Sequence, residues 1–125
     1  MAGKLVISDA EWRVMKVLWH KAPQPAYDIA AELCESEGWD IRTVKSLLAR
    51  LVKKGALAYE PYKNLYLYRP LLAEEEAIRP KLRKFMEQMF DGSLSMLLLH
   101  FSKQRKLSNA ELQEIKKIIR DMEEK

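Results

Sequence analysis

Cysteine is almost missing from this chain: Cys34 is the only one among 125 residues. No intrachain disulfide can therefore form, and a reducing, cytoplasmic setting is the expectation. Glycine (4) and proline (5) are equally scarce, which excludes collagen-like and low-complexity material. Long hydrophobic runs are absent, since even Met96-Leu97-Leu98-Leu99 falls far short of the roughly 20 residues of a membrane span. No membrane insertion is expected. The start, Met1 to Asp9, does not read as a signal peptide either, because Asp9 and Glu11 follow a very short apolar stretch. Histidine is limited to His20 and His100, far apart in the chain. No His-Glu-x-x-His, paired Cys-x-x-Cys, Gly-rich phosphate loop or Gly-x-Ser-x-Gly is present, so neither a metal nor a cofactor nor catalysis is expected.

What is present is the balance of a folded protein, 48% hydrophobic and 32% charged, long enough for one ordinary domain or two very small ones. The net charge of +4 is mild, but it is segregated. Asp28, Glu32, Glu35, Glu37 and Asp40 follow one another without a base, and then Arg42, Lys45, Arg50, Lys53, Lys54, Lys63 and Arg69 are opposed by Glu60 alone. Such segregation suits a nucleic-acid face.

Ser8-Asp9-Ala10-Glu11 reads as a capping box opening a helix with Trp12, Met15, Val17, Leu18 and Trp19 at helical spacing, finished by Pro23. A second helix, Ala26 to Glu37, turns Ile29, Ala30, Leu33 and Cys34 inward and stops at Gly38. Asp40 caps a third. There Val44, Leu47, Leu48, Leu51 and Val52 define a buried face and leave Arg42, Lys45, Ser46, Ala49, Arg50 and Lys53 outward, until Gly55 ends it. The period then falls to two, with Leu57, Tyr59, Leu65 and Leu67 alternating against Ala58, Glu60, Tyr66 and Tyr68. Pro61-Tyr62-Lys63-Asn64 supplies a hairpin turn, with Asn64 tolerant of a left-handed backbone.

Helix, helix, helix, hairpin is the pattern of a winged helix-turn-helix. The fold expected is mainly α with a small β-hairpin wing: a DNA-binding domain over 1–71 and a helical dimerisation domain over 72–125. In the latter, Leu82, Phe85, Met86, Met89 and Phe90 form one apolar stripe and Leu94, Leu97, Leu98 and Phe101 a second. Ser108-Asn109-Ala110-Glu111 repeats the capping-box pattern before a third, with Leu112, Ile115, Ile118, Ile119 and Met122. Pro80 either opens a helix or kinks one begun near Ala73. Helices this short bury little alone, so they pack back on the first domain or, preferably, pair with a second copy. Phe85, Met89, Leu97, Leu98, Phe101, Ile115 and Ile119 are the expected dimer contacts.

Arg42, Thr43, Lys45, Ser46 and Arg50 lie on one side of a helix whose other side is apolar. Arg42 or Lys45 suits guanine O6 and N7, Thr43 and Ser46 suit a phosphate or base edge, and Arg50 suits the phosphate backbone. Lys63 and Asn64 would act from the wing, while Lys53 and Lys54 add diffuse attraction. His20 reads as a helix-dipole partner, Cys34 as a small core residue, and the hairpin tyrosines as wing packing. The alternative from another class is a winged-helix adaptor whose basic helix meets an acidic protein surface.

The chain also resembles the penicillinase-repressor family of bacterial winged-helix regulators, the repressors of beta-lactamase and methicillin-resistance genes. The resemblance runs through Ile7-Ser8-Asp9-Ala10-Glu11-Trp12, Val14-Met15, Leu18-Trp19, Gly38-Trp39, Arg42-Thr43-Val44-Lys45, Leu48-x-Arg50-Leu51-Val52-Lys53-Lys54-Gly55 and Tyr66-x-Tyr68-x-Pro70-Leu71. It continues in Phe90-Asp91-Gly92-Ser93, Leu97-Leu98-Leu99-His100-Phe101 and Lys106-Leu107-Ser108. It implies a homodimer, interleaved through the C-terminal helices, that binds a palindromic double-stranded DNA operator and blocks transcription. A regulatory protease is implied as a further partner, cutting before a Phe in an Asn-Phe pair. Here that position reads His100-Phe101, which keeps the Phe and changes its neighbour. The cysteine cluster of related copper-responsive repressors is missing, and Pro25 stands where relatives often place a Ser cap.

Overall fold

A computed structural model describes residues 5–124 of the chain. Residues 1–4, on which part of the signal-peptide reading rests, lie outside the described residues. The order of elements is α1 (Asp9–His20), β1 (Gln24–Pro25), α2 (Ala26–Glu37), α3 (Ile41–Lys54), β2 (Leu57–Tyr62), β3 (Leu65–Pro70), α4 (Glu74–Phe90), α5 (Leu94–Ser102) and α6 (Asn109–Glu123).

Local chemistry sets most of these boundaries. At α1 the capping box is complete, Ser8 Oγ accepting from the Glu11 amide at 3.1 Å and Glu11 Oε1 accepting from the Ser8 amide at 2.9 Å. The Asp40 carboxylate accepts from the Thr43 amide at 3.0 Å and so starts α3. Gly38 and Gly55, at φ 75° and 86°, end α2 and α3 in the left-handed region that costs a side chain most. Pro25 stands at the N-cap of α2 with no side-chain cap, and the helix starts at Ala26 regardless because proline's fixed φ needs no donor there.

Val14, Met15, Leu18, Ile29, Leu33, Val44, Leu48, Leu51 and Leu57 are buried together, joining α1, α2 and α3 to the start of β2. Trp12, Trp19 and Leu72 pack against this cluster, and the Trp19 indole N–H donates to the Leu72 carbonyl at 2.9 Å. The chain divides into two compact units, the first reaching Arg79 and the second beginning at Pro80.

In this unit four readings of strand, turn and helix face need correction. The hairpin is part of a three-stranded antiparallel sheet in the order β1-β3-β2, with Gln24 opposite Tyr68; two residues are too short for a period to register in the sequence. The two-residue loop pairs Tyr62 with Leu65, so Leu57 and Tyr59 share a face with Pro70 and Tyr68. Leu65 and Leu67 therefore lie on the other face, because the loop length sets the register. The left-handed turn residue is Lys63, at φ 58°, and not Asn64. Cys34 is exposed rather than buried, since Ile29, Ala30 and Leu33 already fill the inward face of α2.

In the second unit Pro80 lies inside α4, a helix begun at Glu74, so it takes one amide out of the ladder rather than opening a new helix. Ser108 caps α6 by accepting from the Glu111 amide at 3.1 Å. The reciprocal half of the expected box is absent, because the Glu111 carboxylate pairs with Arg105 at 3.4 Å instead. Among the described residues, no helix is long and apolar enough to cross a membrane.

Candidate nucleic-acid interface

The outer face of α3 follows from its inner one. Val44, Leu47, Leu48 and Leu51 are buried, and at 3.6 residues per turn this forces Arg42, Thr43, Lys45, Ser46 and Arg50 outward, where all five are exposed. The Arg42 side chain is 91% exposed and its only ion pair among the described residues is a distant one, 4.0 Å to Asp40, so its guanidinium fork can meet a carbonyl or a phosphate. The Asp40 carboxyl is held below its ordinary pKa, first by the Thr43 amide and against a smaller desolvation effect. Cap and cation thus sit at the start of the same helix.

Lys45 differs from Arg42 in having an aromatic support: its Nζ lies 5.1 Å from the centroid of the Tyr27 ring, which α2 contributes. Arg50 differs again. Its Nε stands 3.6 Å from Glu11 Oε2, while the side chain stays 61% exposed. Its fork is anchored from within and presented outward.

Lys54 is not a source of diffuse attraction. Its Nζ donates to Glu11 Oε1 at 2.5 Å and to the Val6 carbonyl at 2.6 Å, an internal tie between the end of α3 and the start of α1. Burial of Glu11 raises its carboxyl, but the Lys54 hydrogen bond and charge and the Ser8 amide outweigh that and hold it below the ordinary carboxylate value. The other carboxylate oxygen is buried, has no hydrogen bond among the described residues and lies 3.6 Å from Arg50 Nε.

Lys63 and Asn64 form the exposed loop between β2 and β3, with the Lys63 ammonium 5.3 Å from the Tyr62 ring centroid. Behind them Tyr59 packs edge-on to Tyr66 at 4.8 Å and tilted against Tyr68 at 5.8 Å. Desolvation, with the neighbouring phenols, pushes the Tyr68 hydroxyl above its ordinary pKa. The rings brace the wing.

A family model described as "Penicillinase repressor" matches residues 7–121. The chain belongs to the penicillinase repressor family. The penicillinase repressor of Bacillus licheniformis is 32% identical over 115 residues, covering 92% of this chain and 90% of that protein. The penicillinase repressor of Staphylococcus aureus is 31% identical with 100% of both chains covered. The solution structure of the DNA-binding domain of the repressor BlaI aligns with a TM-score of 0.55 at 34% identity, covering 61% of this chain and 93% of that one. Monomeric Bacillus licheniformis BlaI in complex with the blaP half-operator aligns with a TM-score of 0.52 at 35% identity, covering 58% and 90%. These matches make the N-terminal unit of this family member a winged helix.

In the second unit of this repressor-family chain the apolar stripes stay open. Phe85, Met89, Leu98, Phe101 and Ile119 are exposed, at 45%, 62%, 39%, 37% and 44%, and Leu97 and Ile115 are half-buried. His100 and Phe101 sit within α5, His100 tilted against Phe90 at 5.5 Å and Phe101 beneath the Arg105 guanidinium at 4.9 Å. Two participants escaped the sequence reading. Tyr27 carried no assignment, although a large aromatic in the first turn of a helix beside a basic one is a usable signal. Glu11 was legible only as a cap, because its partners lie 39 and 43 positions further along the chain.

Proposed function

We propose that the protein is a sequence-specific DNA-binding transcriptional repressor that acts as a homodimer on a palindromic operator. The observation that carries this is the outer face of α3, where Arg42, Thr43, Lys45 and Ser46 are exposed together over a buried apolar face, in a chain similar to a BlaI bound to its half-operator. Arg42 and Lys45 donate to guanine edges in the major groove, Thr43 and Ser46 reach a phosphate or base edge, and Arg50, Lys63 and Asn64 meet the backbone.

Dimerisation goes through α4, α5 and α6. Among the described residues from Pro80 onward none is buried, and side chains such as Phe85, Met89, Leu98, Phe101 and Ile119 are more than solvent tolerates in one contiguous unit. A second copy covers them and places two α3 helices about 34 Å apart, one helical turn of DNA. The site of action is the cytoplasm, where the DNA is. For release by a regulatory protease the candidate bond is His100–Phe101, which α5 keeps helical, so cleavage follows local opening of that helix.

The test is selection from random-sequence duplex DNA with the purified protein at moderate salt. An enriched palindrome with half-sites one or more helical turns apart is the expected result. Salt-sensitive retention without enrichment overturns sequence-specific repression in favour of an adaptor with a basic face.

A further inference from the structure

Tyr27 is out of place for a packing residue. It is the second residue of α2, 62% exposed, and it does not belong to the buried cluster that Ile29, Ala30 and Leu33 join. The ring instead meets the Lys45 ammonium, 5.1 Å from its centroid, within reach of the attraction between a cation and the negative face of an aromatic ring. Lys45 stands between Thr43 and Ser46 on the exposed face of α3, while Arg42 at the start of that helix lies over no aromatic ring among the described residues. The two cations are therefore differently prepared. The Arg42 fork is planar and rigid by its own chemistry, whereas a lysine stem has four rotatable carbons and presents a point charge in many positions. A ring under the ammonium narrows those positions before any ligand arrives, and a donor already placed loses less freedom on binding.

From this we propose that Tyr27 is a positioning residue for base readout, holding the Lys45 ammonium over its ring so that α3 offers it in a fixed direction. The inference rests on the reading of α3 as the DNA-contacting helix and adds a residue from α2 to the specificity surface. The ring does the work, so Phe substitutes for Tyr and an aliphatic residue does not. Because the ring acts through Lys45, its removal has no effect once Lys45 is gone.

Two measurements test this. In the free full-length protein, the Lys45 ε-methylene protons are expected upfield of their ordinary position by the ring current, in wild type and Tyr27→Phe but not in Tyr27→Leu. On DNA, the probes are the duplex recovered by selection and a scrambled duplex of equal length. Tyr27→Leu is expected to weaken the selected duplex about two- to five-fold and to leave the scrambled one unchanged, with Tyr27→Phe at wild-type affinity. In a Lys45→Met background the same Tyr27→Leu change is expected to cost nothing. Equal losses in both backgrounds, equal losses for Phe and Leu, or Lys45 protons at ordinary shifts in wild type each overturn the proposal. Failure of the wild-type protein to select any sequence overturns the DNA reading itself, and is distinguished by the proton shifts, which need no DNA.

Discussion

Replacing Glu11 by Gln removes one charge from the most heavily tied carboxylate in the first unit. The side chain has no solvent exposure, and it is held by Lys54 Nζ at 2.5 Å, the Ser8 amide at 2.9 Å and Arg50 Nε at 3.6 Å. Removing one partner of a buried ion pair costs about 3–5 kcal/mol, because the other charge stays behind uncompensated. Here the stranded cations regain water, since the side chains of Lys54 and Arg50 are 33% and 61% exposed, so we expect ~2–3 kcal/mol. Gln keeps the acceptor that completes the α1 capping box, and Glu11→Ala should lose about a further 1 kcal/mol for that hydrogen bond. Urea unfolding followed by tryptophan fluorescence reads this cleanly, because Trp12, Trp19 and Trp39 all lie in the first unit. The sign with pH is fixed by the lowered carboxyl. The ionised form is favoured in the folded state, so its contribution is fully present above the unfolded value of about 4.3 and is lost as pH falls through the lower folded value. The gap between wild type and Glu11→Gln should therefore close on acidification. A difference below about 0.5 kcal/mol at pH 7, or a gap as wide at pH 3 as at pH 7, would refute the ion-pair reasoning.

Arg42→Ala should cost roughly 1–3 kcal/mol of operator affinity at particular base pairs; a uniform loss on selected and random duplexes would remove its base-reading role. Lys63→Gly should act in opposite directions, relieving the φ 58° backbone strain to raise stability by up to about 1 kcal/mol while weakening all DNA sequences alike. Unfolding curves and duplex titrations on one preparation check both, and lower stability would contradict the strain argument. Leu97→Asp places a charge on the α5 stripe and should yield monomers in sedimentation, with much weaker operator binding; an unchanged dimer mass would reject that face as the interface. With about six phosphate contacts per dimer, log K against log salt should fall with a slope near −5, and a slope near zero would count against backbone contacts altogether.

The division between what could be read and what could not follows the range of the forces. Ser8 with Glu11, Asp40 with Thr43, and Gly38 and Gly55 act within one helical turn of themselves, so helix starts and stops were legible in the residues alone. The buried stripe Val44, Leu47, Leu48 and Leu51 is likewise a property of spacing, and it dictates that Arg42, Thr43, Lys45 and Ser46 face outward. Repression by a winged helix was legible too, as a resemblance carried by motifs over most of the chain. Pairings between distant segments were not. The β1–β3 ladder joins Gln24 to Tyr68, and the register of the hairpin depended on a two-residue loop that moved Leu65 and Leu67 to the face opposite Leu57. Lys54 changed from a loose surface charge to an internal partner only once α1 and α3 lay side by side. In the same way Tyr27 met Lys45 only through the packing of α2 on α3. Caps and periodicity are short-range and written locally, whereas an ion pair or a cation over a ring exists only between side chains that the tertiary fold brings within a few ångströms.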